Sequence, residues 1–109
     1  MNQNSIKAFD EEHQRLSRRE MEILGILHKN PRGLTDRQIM AALNYTDMNS
    51  VRPRCNELLA SYWVIKIGDV MDKVTHKTVR LLRAAHVWER AKIIQEIKDR
   101  ENNPQLQLL

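Results

Sequence analysis

The sequence predicts a mainly α domain with a small β-ribbon, and three observations carry that expectation. Two capping boxes, Ser17-x-x-Glu20 and Thr35-x-x-Gln38, each stand directly before an apolar run, the local signature of a helix start. Apolar residues recur at helical spacing as far as Tyr62. From Trp63 they fall into two short β-branched runs, and after Ala84 the helical period returns. A chain of 109 residues, 41% apolar and 29% charged, has the length and composition of one soluble domain.

Each element has its own local warrant. In residues 1–16, Ile6, Phe9, His13 and Leu16 share one stripe opposite charged residues, so an amphipathic helix is expected. Ser17 restarts the helix, and Met21, Ile23, Leu24, Ile26 and Leu27 make it apolar around most of its circumference. Asn30-Pro31-Arg32-Gly33 ends it. Thr35 opens a second, short helix with Ile39, Met40, Ala42 and Leu43 inward. Asn44 stands where it must stop, in the left-handed conformation that Asn tolerates best after Gly. Asp47 is a suitable N-cap for a third helix, in which Val51, Cys55, Leu58 and Tyr62 form one buried stripe. Pro53 leaves a second start open, with the regular helix beginning only near that residue.

The runs WVIKIG and KTVRLL read as antiparallel strands joined through GDVMDKVTH. The last helix, within 84–101, places Val87, Ala91 and Ile94 on one face with Trp88 and Ile97 beside it. Asn102-Asn103-Pro104 breaks it and leaves 102–109 as a flexible tail.

Charge and composition narrow the function classes. Residues 1–16 carry a net −1, residues 84–109 a net of zero, and residues 17–83 a net +5. The positive excess is therefore central, where it favours a polyanionic partner. No apolar run is long enough to span a membrane, and MNQNSIKAFDEEH lacks the pattern of a secretory signal. A single Cys55 excludes an internal disulfide and a cysteine-rich metal site, which fits a cytoplasmic location. His13, His28, His76 and His86 are scattered, there is no HExxH or CxxC spacing, and three glycines make no phosphate loop. No catalytic residue, metal or cofactor is expected, and Cys55 falls on the inner stripe as a small core residue.

The order helix, helix, tight turn, helix, ribbon over residues 17–83 resembles the winged helix-turn-helix family, chiefly through LTDRQIMAALNYTDMNSVRPRCNELLASYWVIKIG. About two-thirds of the chain takes part in the likeness. It departs from the family at Asn44, where Gly is usual, and at Pro53 inside the third helix. The resemblance implies a double-stranded DNA binder whose third helix enters the major groove while the ribbon, or wing, touches the neighbouring backbone or minor groove. It also implies a small phage or bacterial regulator of transcription, placed in the bacterial host cytoplasm if phage-encoded.

On the third helix the inner stripe leaves Asn49, Pro53, Asn56 and Glu57 outward, with Ser50 close by and Arg52 and Arg54 flanking. Asn and Arg suit adenine and guanine edges. In the wing, Lys66, Lys73, His76, Lys77, Arg80 and Arg83 supply charge, with Lys66 and Arg80 spaced to share one face. Arg32 and Arg37 are further backbone-contact candidates, whereas Asp69 and Asp72 oppose an anionic ligand. The DNA-binding set expected from sequence is therefore Arg37, Asn49, Ser50, Arg52, Arg54, Asn56, Lys73, His76 and Lys77.

The terminal helices pose a separate question. A winged domain does not need their apolar stripes, which pack either on each other or across a two-fold axis in a homodimer. The tail Gln105-Leu106-Gln107-Leu108-Leu109 resembles the short motif by which bacterial proteins bind the replicative sliding clamp, with Leu109 where an aromatic residue is usual. On that reading Gln105, Leu106, Leu108 and Leu109 bind the partner. The alternative function is then an interaction module of the replication machinery.

Overall fold

The computed structural model describes residues 15–102. Of the helix expected in 1–16, residues 1–14 lie outside the described residues, and Arg15 and Leu16 are not helical. Of the tail expected in 102–109, Asn102 ends the last helix, and 103–109, including Gln105, Leu106, Leu108 and Leu109, lie outside the described residues. The order within them is α1 (Arg18–His28), α2 (Asp36–Ala42), a 3-10 turn (Met48–Ser50), α3 (Arg52–Ala60), β1 (Val64–Met71), β2 (Thr78–Ala84) and α4 (Val87–Asn102).

Local chemistry fixes the helix starts. Ser17 Oγ accepts from the Glu20 N–H (3.2 Å), and the Ser17 N–H donates to Glu20 Oε1 (3.1 Å). The same reciprocal pair forms between Thr35 and Gln38 at 3.2 and 2.9 Å. Both expected capping boxes are therefore present, each removing orphan donors from a helix end.

α2 and α3 end on left-handed residues that are not glycine. Asn44 has φ 60°, and the Tyr45 and Asn44 N–H groups donate back to the Met40 and Ala41 carbonyls at 3.0 and 3.2 Å. Tyr62, with φ 64°, repeats the motif after α3, where Trp63 and Tyr62 donate to Leu58 and Leu59 at 3.0 and 3.2 Å. This corrects the stripe expected for the third helix: Tyr62 does not continue it but terminates it and swings Trp63 into the core.

Pro53 decides the start of α3. Asp47 caps only the 3-10 turn, through the Asn49 N–H (2.9 Å), and regular helix begins at Arg52 with Pro53 in its first turn. A proline there removes a donor that would have no intrahelical acceptor. The later of the two starts left open by the sequence is the observed one.

The core gathers Ile23, Leu24 and Leu27 of α1, Ile39 of α2, Val51, then Cys55 and Leu58 of α3, together with Trp63, Val64, Leu82 and Ala84. α1 packs on α2, α3 and β2, while β1 rests on α3. Burying one such Leu, Ile or Val contributes about 1.5–3 kcal/mol, so these few side chains hold the three helices to the ribbon. Expectation and structure differ on α1, which is buried on one side only: Met21 is exposed and Ile26 half-buried.

The ribbon is longer than the sequence suggests. β1 runs on through Met71, so the connection is Asp72–Lys77 rather than nine residues from Gly68. Ile67 has no cross-strand partner, because the register shifts between Lys66 and Gly68, which is a β-bulge. Leu34 adds a one-residue bridge to Leu82, at 2.8 and 2.9 Å. Gly33 permits it: at φ +95°, a Cβ there would stand 2.9 Å from Leu81 Cγ and 3.0 Å from the Leu82 carbonyl oxygen.

α4 begins at Val87 rather than Ala84, and no residue in it is buried. Glu89 clasps Arg83 through two bonds of 2.7 Å and accepts from the His86 N–H at 2.9 Å. Arg90 donates to the Ser61 carbonyl (3.0 Å) and lies over the Trp63 ring, 3.9 Å from its centre. Arg83 pulls the Glu89 carboxyl down to about 2, helped by the His86 N–H.

Candidate nucleic-acid interface

The ends of three elements converge on one face: the first turn of α2, the 3-10 turn with the start of α3, and the ribbon tip. They enclose an open cleft of about 470 Å³ lined on one side by Thr35, Asp36, Arg37, Met48 and Arg52, and on the other by Asp72 and Thr75 through Arg80 except His76. The Thr35 capping box aims the first turn of α2 into this cleft. The inward stripe Val51, Cys55, Leu58 leaves Arg52 and Asn56 exposed.

Two internal ion pairs shape the cleft. Arg80 of β2 grips Asp36 through two bonds, Nε to Oδ1 at 3.0 Å and Nη2 to Oδ2 at 2.8 Å. Its third nitrogen donates to Asn56 Oδ1 at 2.7 Å. A guanidinium only donates, so that contact fixes the Asn56 amide with its oxygen toward Arg80. Asp36 is buried, and its bond holds the Arg80 guanidinium above its ordinary value. One arginine therefore links α2, α3 and the ribbon.

The second pair is Arg37 with Asp72, at 2.8 Å. Asp72 Oδ1 also accepts from the Val74 and Thr75 N–H groups, at 2.7 and 3.2 Å. Arg37, then the Val74 N–H, hold this carboxyl below its usual range. Asp72 is therefore the carboxylate around which the tip folds, not an isolated negative charge facing outward.

Beneath the cleft, burial first and Asp36 second push the Cys55 thiol up to about 12, against the opposing pull of Arg80. A thiol so placed stays protonated in the neutral range. Among the described residues no group of three or more His, Cys, Asp or Glu is placed to hold a metal ion.

The residues expected from sequence fall into three sets. Arg52, Lys73 and Lys77 are exposed and pair with no carboxylate among the described residues; Arg52 and Lys77 line the cleft. His76 is exposed at the tip, with φ 59°. Asn49 is exposed and Ser50 half-buried, and both stand in the 3-10 turn rather than on the third helix. Arg37, Arg54 and Asn56 already have partners: Asp72, Glu57 at 2.9 Å, and Arg80.

Lys66 and Arg80 do not act together, since Lys66 pairs with Asp69 at 3.0 Å while Arg80 turns to Asp36. Missed by sequence reasoning were Asp36, Asp72 and Arg80 as organisers. Their contacts span 44 and 35 residues, and no local pattern marks such pairs.

Comparison of the chain with protein-family models, curated proteins and solved structures found no match. Among the described residues, no helix is long and apolar enough to cross a membrane.

Proposed function

We propose that this chain is a winged helix-turn-helix protein that binds double-stranded DNA, with the 3-10 turn and the start of α3 toward the bases and the ribbon tip toward the backbone. One observation carries the reading. Both acids of the cleft, Asp36 and Asp72, are neutralised from within by Arg80 and Arg37, while Arg52, Lys73 and Lys77 around it pair with no carboxylate among the described residues. The face thus offers net positive charge to a polyanion at no cost in broken ion pairs.

Thr75 and Thr78 add hydroxyl donors beside those cations. Arg52 and Asn49 are the exposed groups able to reach base edges from the helical side. Asn56 contributes through an amide already oriented by Arg80. The role that follows is that of a small phage or bacterial regulator, acting by occupying DNA rather than by chemistry.

The test is binding of a labelled random-sequence duplex by fluorescence anisotropy as salt is raised. Steep weakening between low and physiological salt is expected, because neutralised phosphates release their counterions. Absence of binding at low salt would overturn the reading.

A further inference from the structure

The ribbon tip is apolar where a simple phosphate clamp would be polar. Val74 is 68% exposed and Met71 is 67% exposed, more than the other exposed aliphatic side chains among the described residues, Val87 (49%), Ile67 (41%), Val70 (37%) and Met21 (37%). The tip is also stiffly held. Asp72 accepts from the Val74 and Thr75 N–H groups through its side chain and from the His76 N–H (2.8 Å) through its carbonyl. Its own N–H donates to the Lys77 carbonyl at 2.8 Å, and Arg37 ties its carboxylate to α2. Val74 is thus presented by a braced turn, with Lys73, His76 and Lys77 around it.

An apolar point flanked along the chain by Lys73 and Lys77 matches a partner that is anionic at its edges and apolar within. A duplex groove has that chemistry, with two phosphate rails flanking a stack of bases. The minor groove, about 6 Å wide, excludes the ribbon itself but admits a single apolar side chain, as minor-groove proteins insert apolar wedges between base steps. We propose that Val74, with Met71 beside it, is a wedge that enters the minor groove and partly unstacks one base step, while Lys73 and Lys77 contact the flanking phosphates. The inference rests on the DNA-binding reading and adds a mode of engagement to it. Flexible pyrimidine–purine steps are the preferred targets, since they unstack at least cost.

The experiment uses short duplexes carrying 2-aminopurine within a TA step or within a stiff A-tract. Anisotropy reports binding, and 2-aminopurine fluorescence reports unstacking. The full chain should brighten the TA probe well above the A-tract probe. Val74→Ala should keep its thermal stability and salt-dependent binding, weaken affinity for the TA duplex by roughly tenfold, and abolish the brightening. Val74→Thr, similar in shape but polar, should recover only part of it.

Binding without brightening, or brightening unchanged in Val74→Ala, overturns the wedge and leaves the DNA-binding reading standing. No binding to any duplex overturns both. Sedimentation that shows self-association lost on Val74→Glu would assign the tip to a second copy of the chain and also overturn the wedge.

Discussion

The two ends of β2 use the same chemistry for different purposes. Near its C-terminal end, Arg83 and Glu89 form a closed bidentate pair, and Arg90 stacks on Trp63. α4 as a whole is close to charge balance, so this end attaches a helix and leaves little field. Nearer the tip, Arg80 and Arg37 neutralise Asp36 and Asp72, and Arg52, Lys73 and Lys77 are left without a carboxylate among the described residues. The difference teaches that ion pairs by themselves do not distinguish a binding face from a structural joint. On the proposed reading, what distinguishes it is the charge left after the pairs have formed.

The largest effect should come from breaking the joint inside the cleft. Arg80→Met leaves the buried Asp36 carboxylate without its partner, and about 2–4 kcal/mol of stability should be lost. For a domain of this size, that lowers the melting temperature by roughly 10–20 °C. Adding Asp36→Asn should recover part of the loss. A melting point unchanged in the single variant would show that the network is ornamental.

Gly33→Ala comes next, at about 1–3 kcal/mol, because a left-handed backbone and the close Leu82 carbonyl both resist a Cβ. Thermal unfolding would measure it. A neutral result would mean that the Leu34–Leu82 bridge yields freely.

The clasp at the other end should titrate. Glu89 is depressed in the folded state from the ordinary 4.5 to about 2. Its contribution is therefore complete above about pH 4.5 and is lost as the pH falls toward 2. Comparison with Glu89→Gln makes this visible: the two melting curves should differ by a constant amount at neutral pH and converge through that acid window. A gap that persists at pH 2 would contradict the cause assigned to the shift. Binding of DNA at neutral pH should be nearly the same in both proteins.

The smallest effect concerns the Arg54–Glu57 pair on α3. Glu57→Gln releases Arg54 and removes a negative charge close to the proposed DNA-facing surface, so affinity for duplex DNA should rise about twofold to fivefold. Weaker binding in an equilibrium titration would show instead that Glu57 positions Arg54.

How much of this was legible in the sequence follows from the range of each interaction. The two capping boxes, the Asn44 turn and the Val51–Cys55–Leu58 stripe are local, and each stands in the structure as its spacing implies. Tyr62 was misread because an aromatic residue fits helical periodicity, and only the chain reversal at Trp63 makes it left-handed. The ribbon was read short because Val70 and Met71, exposed and without alternation, look like loop. Of the candidate site, the unpaired cations could be named from residue type alone. Which acids they face, and that Arg37 and Arg80 are already occupied, depends on contacts between α2 and the ribbon that no sequence window contains, whereas the Arg54–Glu57 pair is local to α3.

The proposed DNA binding draws on the charge left at the cleft rather than on the net charge of the chain. Two double variants remove the same charge from opposite ends: Lys73→Ala with Lys77→Ala at the tip, and Lys92→Ala with Lys98→Ala on α4. The salt dependence of binding to a random-sequence duplex should be measured for both and for the unaltered chain. The tip variant should lower the slope of log affinity against log salt by about 2, while the α4 variant should leave it unchanged. Equal reductions in the two variants would contradict it.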